Sequence, residues 1–368
     1  MTSNHGLFYS SQDADSDGEE GKFYVFSYEE IINVLGDKDG AEFAQYFGAS
    51  RPGNFEGKNV LHLTKESFLN YPTNIDLLKG KMLDYRNRRV HPSTDKKILT
   101  SWNGLMIGSL AYAGKVFNED EYVDRAKKAL DNILELHYKE NKLYASSYEG
   151  VLGPKAFLES YSHLLYGVLC LQEATLDGKY VRLAKELEKE MEAKFWDEEG
   201  FGYYLRSKSE TKLVMEIKDF SDGALPSANA MAAQSLAKLW SITGNKAYEN
   251  KLKKMIDGLR GKMEEQPLGN TGLLLSYEAA EKGPKEVVLT GHREDKIIKE
   301  MIMQLNDLYL PEYTVTLHDP KRRDNEQDLY ELWREVSDEM PTAYVCRDYA
   351  CLDGVLDSAA LKEILLDS

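Results

Sequence analysis

The chain has 368 residues, 42% hydrophobic and 29% charged, enough for one large domain or two ordinary ones under a well-solvated surface. A formal net charge of −16 argues against nucleic acid or an anionic membrane as partner, because both attract basic faces. No apolar run reaches the ~18 residues a membrane helix needs, the opening MTSNHGLFYSSQ lacks the parts of a secretory signal, and three cysteines are too few for a disulfide scaffold. A cytoplasmic location is the expectation.

Residues 6–11, GLFYSS, are β-prone and lead into DADSDGEEGKFYVFS at 13–27. Asp13, Asp15 and Asp17 alternate and Gly18 follows, which is how an EF-hand calcium loop begins. Its twelfth position needs a bidentate carboxylate, and Tyr24 stands there. No metal site is therefore expected. Two readings stay open: an acidic loop at a cavity rim with Asp13 and Asp15 turned inward, or a solvated turn of ordinary Asp chemistry. Arg86, Arg88 and Arg89 follow, near His91 and Asp95. They either bind a carboxylate or phosphate or lock an acidic neighbour by ion pairs.

From residue 100 the chain repeats itself. TSWNGLMIGSLAYAGKVF, ESYSHLLYGVLCLQEAT and PSANAMAAQSLAKLWSIT are each an apolar helix rich in small residues, and each is followed by a turn and a charged amphipathic helix marked by Tyr122, Tyr180 or Tyr248. Such self-similarity means stacked helix pairs, the first of each pair buried and the second facing solvent. The segments 143–150 and 200–214 read as connecting hairpins. Helix pairs joined by hairpins suggest an α/α toroid over residues 1–283. About nine toroid helices are expected, where a closed ring of six pairs needs twelve. From 284 to 368 the pattern becomes a small α/β unit: strands at 285–291, 313–318 and 342–346, helices at 292–310 and 358–366, a further helix before the last strand, and a charged connection at 318–327.

The three inner helices begin alike, at Ser101-Trp102-Asn103, Ser160-Tyr161-Ser162 and Ser227-Ala228-Asn229. Each Ser is a candidate N-cap. Parallel inner helices would gather these starts at one end of a cavity, with backbone donors and partial positive charge. There Trp102 and Tyr161 would stack on a sugar ring, and Asn103, Asn229 and Ser227 would bond hydroxyls. Glu159, Asp219 and Asp222 would supply acid, base or substrate contact, and Asp15 with Asp222 would support glycoside hydrolysis if the two carboxylates are suitably separated. His163 is either an acid–base group or a packed core residue, and Trp102 with Gly104 either faces a ligand or packs helices. Cys346 and Cys351, spaced C-x4-C, read as free thiols, and Cys170 as buried. No cofactor is expected.

Several long motifs resemble one family: FYSSQDADSDGEEGKFYVF, GNFEGKNVLHL (53–63), RNRRVHPSTDKKILTSWNGLMIGSLA (86–111), FLESYSHLLYG (157–167), DFSDGALPSANAMAA (219–233) and TAYVCRDYAC (342–351). They are similar to the uncharacterised thioredoxin-domain proteins that include YyaL and the spermatogenesis-associated protein 20 group. The resemblance covers nearly the whole chain and implies a mainly α fold. That fold is an N-terminal thioredoxin-like domain followed by an (α/α) toroid of the six-hairpin glycosidase and N-acylglucosamine 2-epimerase type. This chain would be its C-terminal portion, an incomplete toroid. A sugar epimerase-, isomerase- or glycosidase-like protein with a small sugar-like ligand is the expectation, and the use of histidines by sugar epimerases of this fold gives His163 its catalytic candidacy, although a shared fold does not transfer a reaction. The alternative is a non-catalytic scaffold working with a thioredoxin-like partner domain and a protein that supplies the absent helices.

Overall fold

The computed structural model describes residues 1–65, 67–208, 216–319, 329–330 and 340–367. The helix expected before the last strand, most of the 318–327 connection and the end of the 200–214 hairpin lie outside them. The chain falls into two compact units, Met1 with Tyr9–Lys96 and Thr2–Phe8 with Lys97–Ser368.

The first unit opens with β1 (Tyr9–Gln12), β2 (Asp15–Ser16) and β3 (Glu19–Glu20), followed by α1 (Tyr28–Leu35), α2 (Asp37–Tyr46) and α3 (Ile75–Arg86). β2 and β3 form an antiparallel hairpin with Asp15 opposite Glu20. Its turn is Asp17–Gly18, at φ +53° and +78°, the two positive values that a two-residue type I′ turn requires. The alternating aspartates thus follow strand pairing. Ser27 and Glu30 make a reciprocal capping box that starts α1. Gly36, at φ +86°, breaks residues 28–46 into two helices. Phe26, Ile31, Phe43, Ile75 and Leu78 form this unit's core.

The second unit holds the repeat. β4 (Thr94–Leu99) leads into α4 (Thr100–Phe117) and α5 (Asp120–His137). Next come β5 (Tyr138–Lys139), β6 (Lys142–Leu143), β7 (Ser146–Tyr148) and β8 (Val151–Leu152). Two more pairs follow, α6 (Leu158–Thr175) with α7 (Gly178–Phe195) and α8 (Ala228–Thr243) with α9 (Lys246–Glu265), then α10 (Thr271–Lys282). α5 buries Val123, Ala126, Leu130 and Ile133 at three- and four-residue steps, one stripe of an amphipathic helix. α6 and α8 are buried on nearly every side. Each of the four leucines Leu164, Leu165, Leu169 and Leu171 is buried there, at about 1.5–3 kcal/mol apiece.

The inner helices run parallel. Along α4 and α6 the facing pairs advance together: Gly104 against His163, Gly108 against Cys170, Lys115 against Glu173. Glu173 bonds Lys238 of α8, and Gly272 at the start of α10 meets Ala230 at the start of α8. Glycine sets the α4–α6 approach, because a Cβ on Gly104 would sit 2.6 Å from His163 backbone and one on Gly167 2.3 Å from the Gly104 carbonyl oxygen. Each of the three full pairs turns through a left-handed residue, Asn118, Leu176 or Gly244. This is an (α/α) toroid arrangement, incomplete in this chain: ten α-helices precede residue 283 among the described residues, one more than expected.

The chain then forms β9 (Lys285–Thr290), α11 (Lys296–Asn306), β10 (Tyr313–His318), β11 (Thr342–Arg347), β12 (Ala350–Cys351) and α12 (Ser358–Asp367). The sheet order is β10-β9-β11-β12, with β10 parallel and β11 antiparallel to β9. Alternation turns Val287, Leu289, Val315, Leu317 and Val345 onto a core shared with α11 and α12. The opposite face carries Thr314, whose hydroxyl bonds Ser241 of α8 at 2.6 Å. Cys346 and Cys351 are not free thiols, as the spacing suggested, but a disulfide. The two-residue turn Asp348–Tyr349, at φ +43° and +64°, places them directly opposite on β11 and β12. No described helix is long and apolar enough to cross a membrane.

Candidate functional site

The parallel row brings the starts of α4, α6, α8 and α10 to one end of the second unit. Most polar candidates there hold backbone. Asn103 accepts from the Phe8 N–H at 2.9 Å and donates to the Phe8 and Leu99 carbonyls at 3.0 and 2.9 Å. Asn229 does the same one repeat away, accepting from the Tyr203 N–H at 2.8 Å and donating to the Tyr203 and Asp219 carbonyls. Both are fully buried, so each amide clamps a preceding β segment rather than reaching for hydroxyls.

Only one of the three expected serine caps forms. Ser227 accepts from the Ala230 N–H at 3.2 Å and starts α8. Ser101 and Ser160 lie inside their helices. Those starts are held instead by the connecting segments: Thr100 N–H donates to the Ala145 carbonyl and Leu158 N–H to the Leu205 carbonyl.

Tyr161 is only 1% exposed and donates to Glu190 of α7 at 2.9 Å. Its ring packs on Phe195, which leaves no open face for a sugar. Burial and the Glu190 carboxylate raise its phenol pKa. Asp222 accepts from the N–H groups of Ser227 and Gly272 at 2.9 and 2.7 Å and from the Thr271 hydroxyl at 3.2 Å. It caps α10, where the helix dipole favours a carboxylate. Asp219 accepts from the Ser221 N–H.

At this end of the second unit Trp102, Glu159 and Asp219 remain open to solvent. Trp102, in the first turn of α4, is 41% exposed. Glu159, in the first turn of the neighbouring α6, is exposed. His163, one turn along α6 from Glu159, is 2% exposed; neither ring nitrogen makes a well-formed hydrogen bond, and the Pro226 carbonyl is the acceptor that acts on the ring. Burial pushes its pKa down to about 4, against a smaller opposing effect of the Pro226 carbonyl. The imidazole is therefore neutral near pH 7, with one protonated and one unprotonated ring nitrogen.

Asp13 and Asp15 lie in the first unit. Asp13 accepts from the Asp15 N–H at 3.1 Å and from the Ser93 hydroxyl at 3.2 Å, and both are exposed. Arg89 organises this stretch. It donates to the carbonyls of Lys22, Phe23 and Val25 and pairs with Glu30 at 3.0 Å. The ion-pair reading of the arginines therefore applies to Arg89, with Glu30 as partner.

A polar hub escaped the sequence reading. Thr100 donates to the Tyr144 carbonyl at 2.6 Å, so its oxygen accepts from His137 Nδ1 at 2.7 Å. His137 Nε2 then accepts from the Ser147 hydroxyl at 2.8 Å. The network assigns a neutral Nδ1–H tautomer, and burial lowers the pKa to about 4. Nothing in its local sequence, LELHYKE, distinguishes this histidine from a surface one. Among the described residues no group of three or more His, Cys, Asp or Glu is arranged to hold a metal.

The fold and this end of it define an incomplete (α/α) toroid with an open tryptophan, open carboxylates and a buried neutral histidine. The chain is homologous to spermatogenesis-associated protein 20. It is 28% identical to the human protein over 410 aligned positions, covering 98% of this chain and 52% of that one. It is also 27% identical to the uncharacterized protein B0495.5 of Caenorhabditis elegans, covering 98% and 54%. The chain spans about half the length of the curated relatives it matches. No family model matches it. Among solved structures, a D-mannose isomerase is similar with a TM-score of 0.40 and 13% identity, covering 69% of this chain and 83% of that one. A cellobiose 2-epimerase from Spirochaeta thermophila DSM 6192 gives a TM-score of 0.38 and 16% identity, covering 45% and 43%.

Proposed function

We propose that the second unit is a sugar-binding toroid of the epimerase or isomerase kind, with its ligand at the N-terminal ends of the inner helices. The observation that supports this is that Trp102 and Glu159 are both exposed in the first turns of neighbouring parallel helices. An indole face stacks on the apolar face of a pyranose, and a carboxylate in a first helical turn accepts from hydroxyls. His163, neutral and without a well-formed hydrogen bond, is the proton carrier in this reading. Asn103, Asn229, Ser227 and Asp222 position the helix ends. Asp13 and Asp15 belong to the first unit and take no part in this reading.

The test is a proton NMR time course in D2O with a panel of mono- and disaccharides. Deuterium appearing beside a sugar carbonyl carbon in the wild type, and lost in His163→Gln with unchanged circular dichroism, is the expected result. Spectra unchanged for every sugar would overturn the enzymatic reading.

A second reading is an interaction module. It is supported by an apolar stripe along α4: Trp102, Met106, Tyr112, Val116 and Phe117 are all exposed. Here the half of a relative that this chain does not match, supplied in trans, raises the melting temperature. Met106→Lys abolishes the rise. No rise in the wild type would remove this reading.

A further inference from the structure

At the opposite ends of the inner helices the second unit borders a cavity of about 470 Å³, a size that suits a small organic ligand. Its wall is built by the last turns of α4, α6 and α8, by α10, and by the chain from the end of α11 into β10. None of the candidates at the N-terminal ends lines it.

The charges on this wall cancel in one place and not in the other. Near α10 they cancel. Lys285 lies 3.2 Å from Glu278 and 3.6 Å from Glu312, and Lys282 also pairs with Glu278, two ammonium groups to two carboxylates. Against α4, α6 and α8 they do not. Glu173 is bonded by Lys238 and stands 3.9 Å from Lys115 Nζ. Two ammonium groups share one carboxylate, and all three side chains are under one-fifth exposed. Burial would raise the Glu173 carboxyl, yet Lys238 and Lys115 hold it below its ordinary range, so this group carries one net positive charge near pH 7. Lys115 is too far from Glu173 for a hydrogen bond, and its donors are not spent there.

A second feature points the same way. Ser276 of α10 lines the cavity and is 1% exposed, and its hydroxyl has no hydrogen-bond partner among the described residues. A buried hydroxyl is seldom left so. α8 and α10 run side by side in one direction: the Gln234 amide donates to the Gly272 carbonyl at 2.9 Å, and further along the Ser241 hydroxyl donates to the Lys285 carbonyl at 3.3 Å. Ser276, one turn on from Gly272, therefore lies beside the turn of α8 that runs from Gln234 to Lys238. Tyr112, Leu275 and Leu308 add apolar wall.

We propose that this cavity binds an organic monocarboxylate with an apolar body, its carboxylate held on the Lys115–Lys238 side of the wall with the Ser276 hydroxyl as a further donor, and its body along Tyr112 and Leu275. One net positive charge on the protein meets one carboxylate, and a half-buried charge gains most from a partner of equal size. The site rests on no part of the sugar reading and survives its failure.

The experiment titrates a panel of straight-chain and aryl carboxylates by calorimetry, octanoate and phenylacetate among them, with the matched amides and amines. At least one carboxylate is expected to bind saturably. Its amide and its amine should each bind at least about tenfold more weakly, a difference of about 1.4 kcal/mol. Lys115→Met leaves Glu173 paired with Lys238 alone and should cost a similar factor. Ser276→Ala should cost about three- to tenfold, and Trp102→Phe, at the other helix ends, should bind as the wild type does. If Lys115→Met does not fold, Leu275→Glu is read in its place. Leu275 is 63% exposed, so the site accepts a polar group, and a carboxylate there should repel the ligand by about the same factor. Lysines that merely steady helix carbonyl ends give no saturable binding of any carboxylate at tens of millimolar, and that result overturns the proposal. So does unchanged affinity in the variant read, equal binding of the amide, or phenyl phosphate binding more tightly than every carboxylate.

Discussion

Asn103 and Asn229 each hold one backbone N–H and two backbone carbonyls in a fully buried setting. Truncation leaves those groups without partners, at roughly 1–3 kcal/mol for each one stranded. Asn103→Ala and Asn229→Ala should each lower the folding free energy by about 3 kcal/mol, measured by urea unfolding. Equal stability would show that water replaces the amide. Two of the three buried histidines, His137 and His163, give a pH signature. His137 and His163 are both held from the ordinary 6.5 down to about 4 in the folded chain. Between those values the unfolded chain takes up protons that the folded chain refuses. Stability should therefore fall as pH drops from 6.5 to 4, by up to about 1.4 kcal/mol per unit for each histidine. Above 6.5 neither contributes. His163→Leu should flatten the slope, and an unchanged slope would place its titration elsewhere. Residue-scale roles were the least legible from sequence. A short polar side chain at a helix start reads the same whether it faces a cavity or clamps backbone. Direction decides, and direction comes from packing.

At the scale of elements the glycines separate cleanly by surroundings. Gly104→Ala and Gly167→Ala force a methyl into backbone of the facing helix, so α4 and α6 must part, at a cost of about 1–3 kcal/mol or more. Gly80 in α3 and Gly261 in α9 have open space around the Cβ position. There alanine should stabilise by about 0.5–1 kcal/mol through its better helix propensity. Thermal unfolding of the four variants should split into two signs. Four losses would mean that the α4–α6 approach is nothing special. Elements were largely legible: the 3.6-residue period marked α4 to α9, and β-branched runs marked β9, β10 and β11 before α12. The Cys346–Cys351 disulfide was not, because C-x4-C does not state that a two-residue turn intervenes. Two of the three serine caps also failed, because connecting-segment carbonyls bind those helix starts first.

For the whole molecule, charge and incompleteness dominate. A net charge of −16 repels itself in the compact state, and salt screens it over about 8–10 Å near physiological strength. The melting temperature should rise between 10 and about 200 mM sodium chloride, and a fall would mean that ion pairs such as Lys115–Glu173 outweigh the repulsion. The toroid was legible as a repeat, since each helix pair buries its apolar side only against the next. Which end of the inner helices carries function was not, because both ends present polar groups in sequence. The central claim is a saccharide at Trp102. The direct measurement is a saccharide titration read by tryptophan fluorescence, taken as the difference between wild type and Trp102→Phe. A saturable change confined to the wild type is the predicted result. Identical responses in the two proteins, or none at tens of millimolar sugar, would contradict the account.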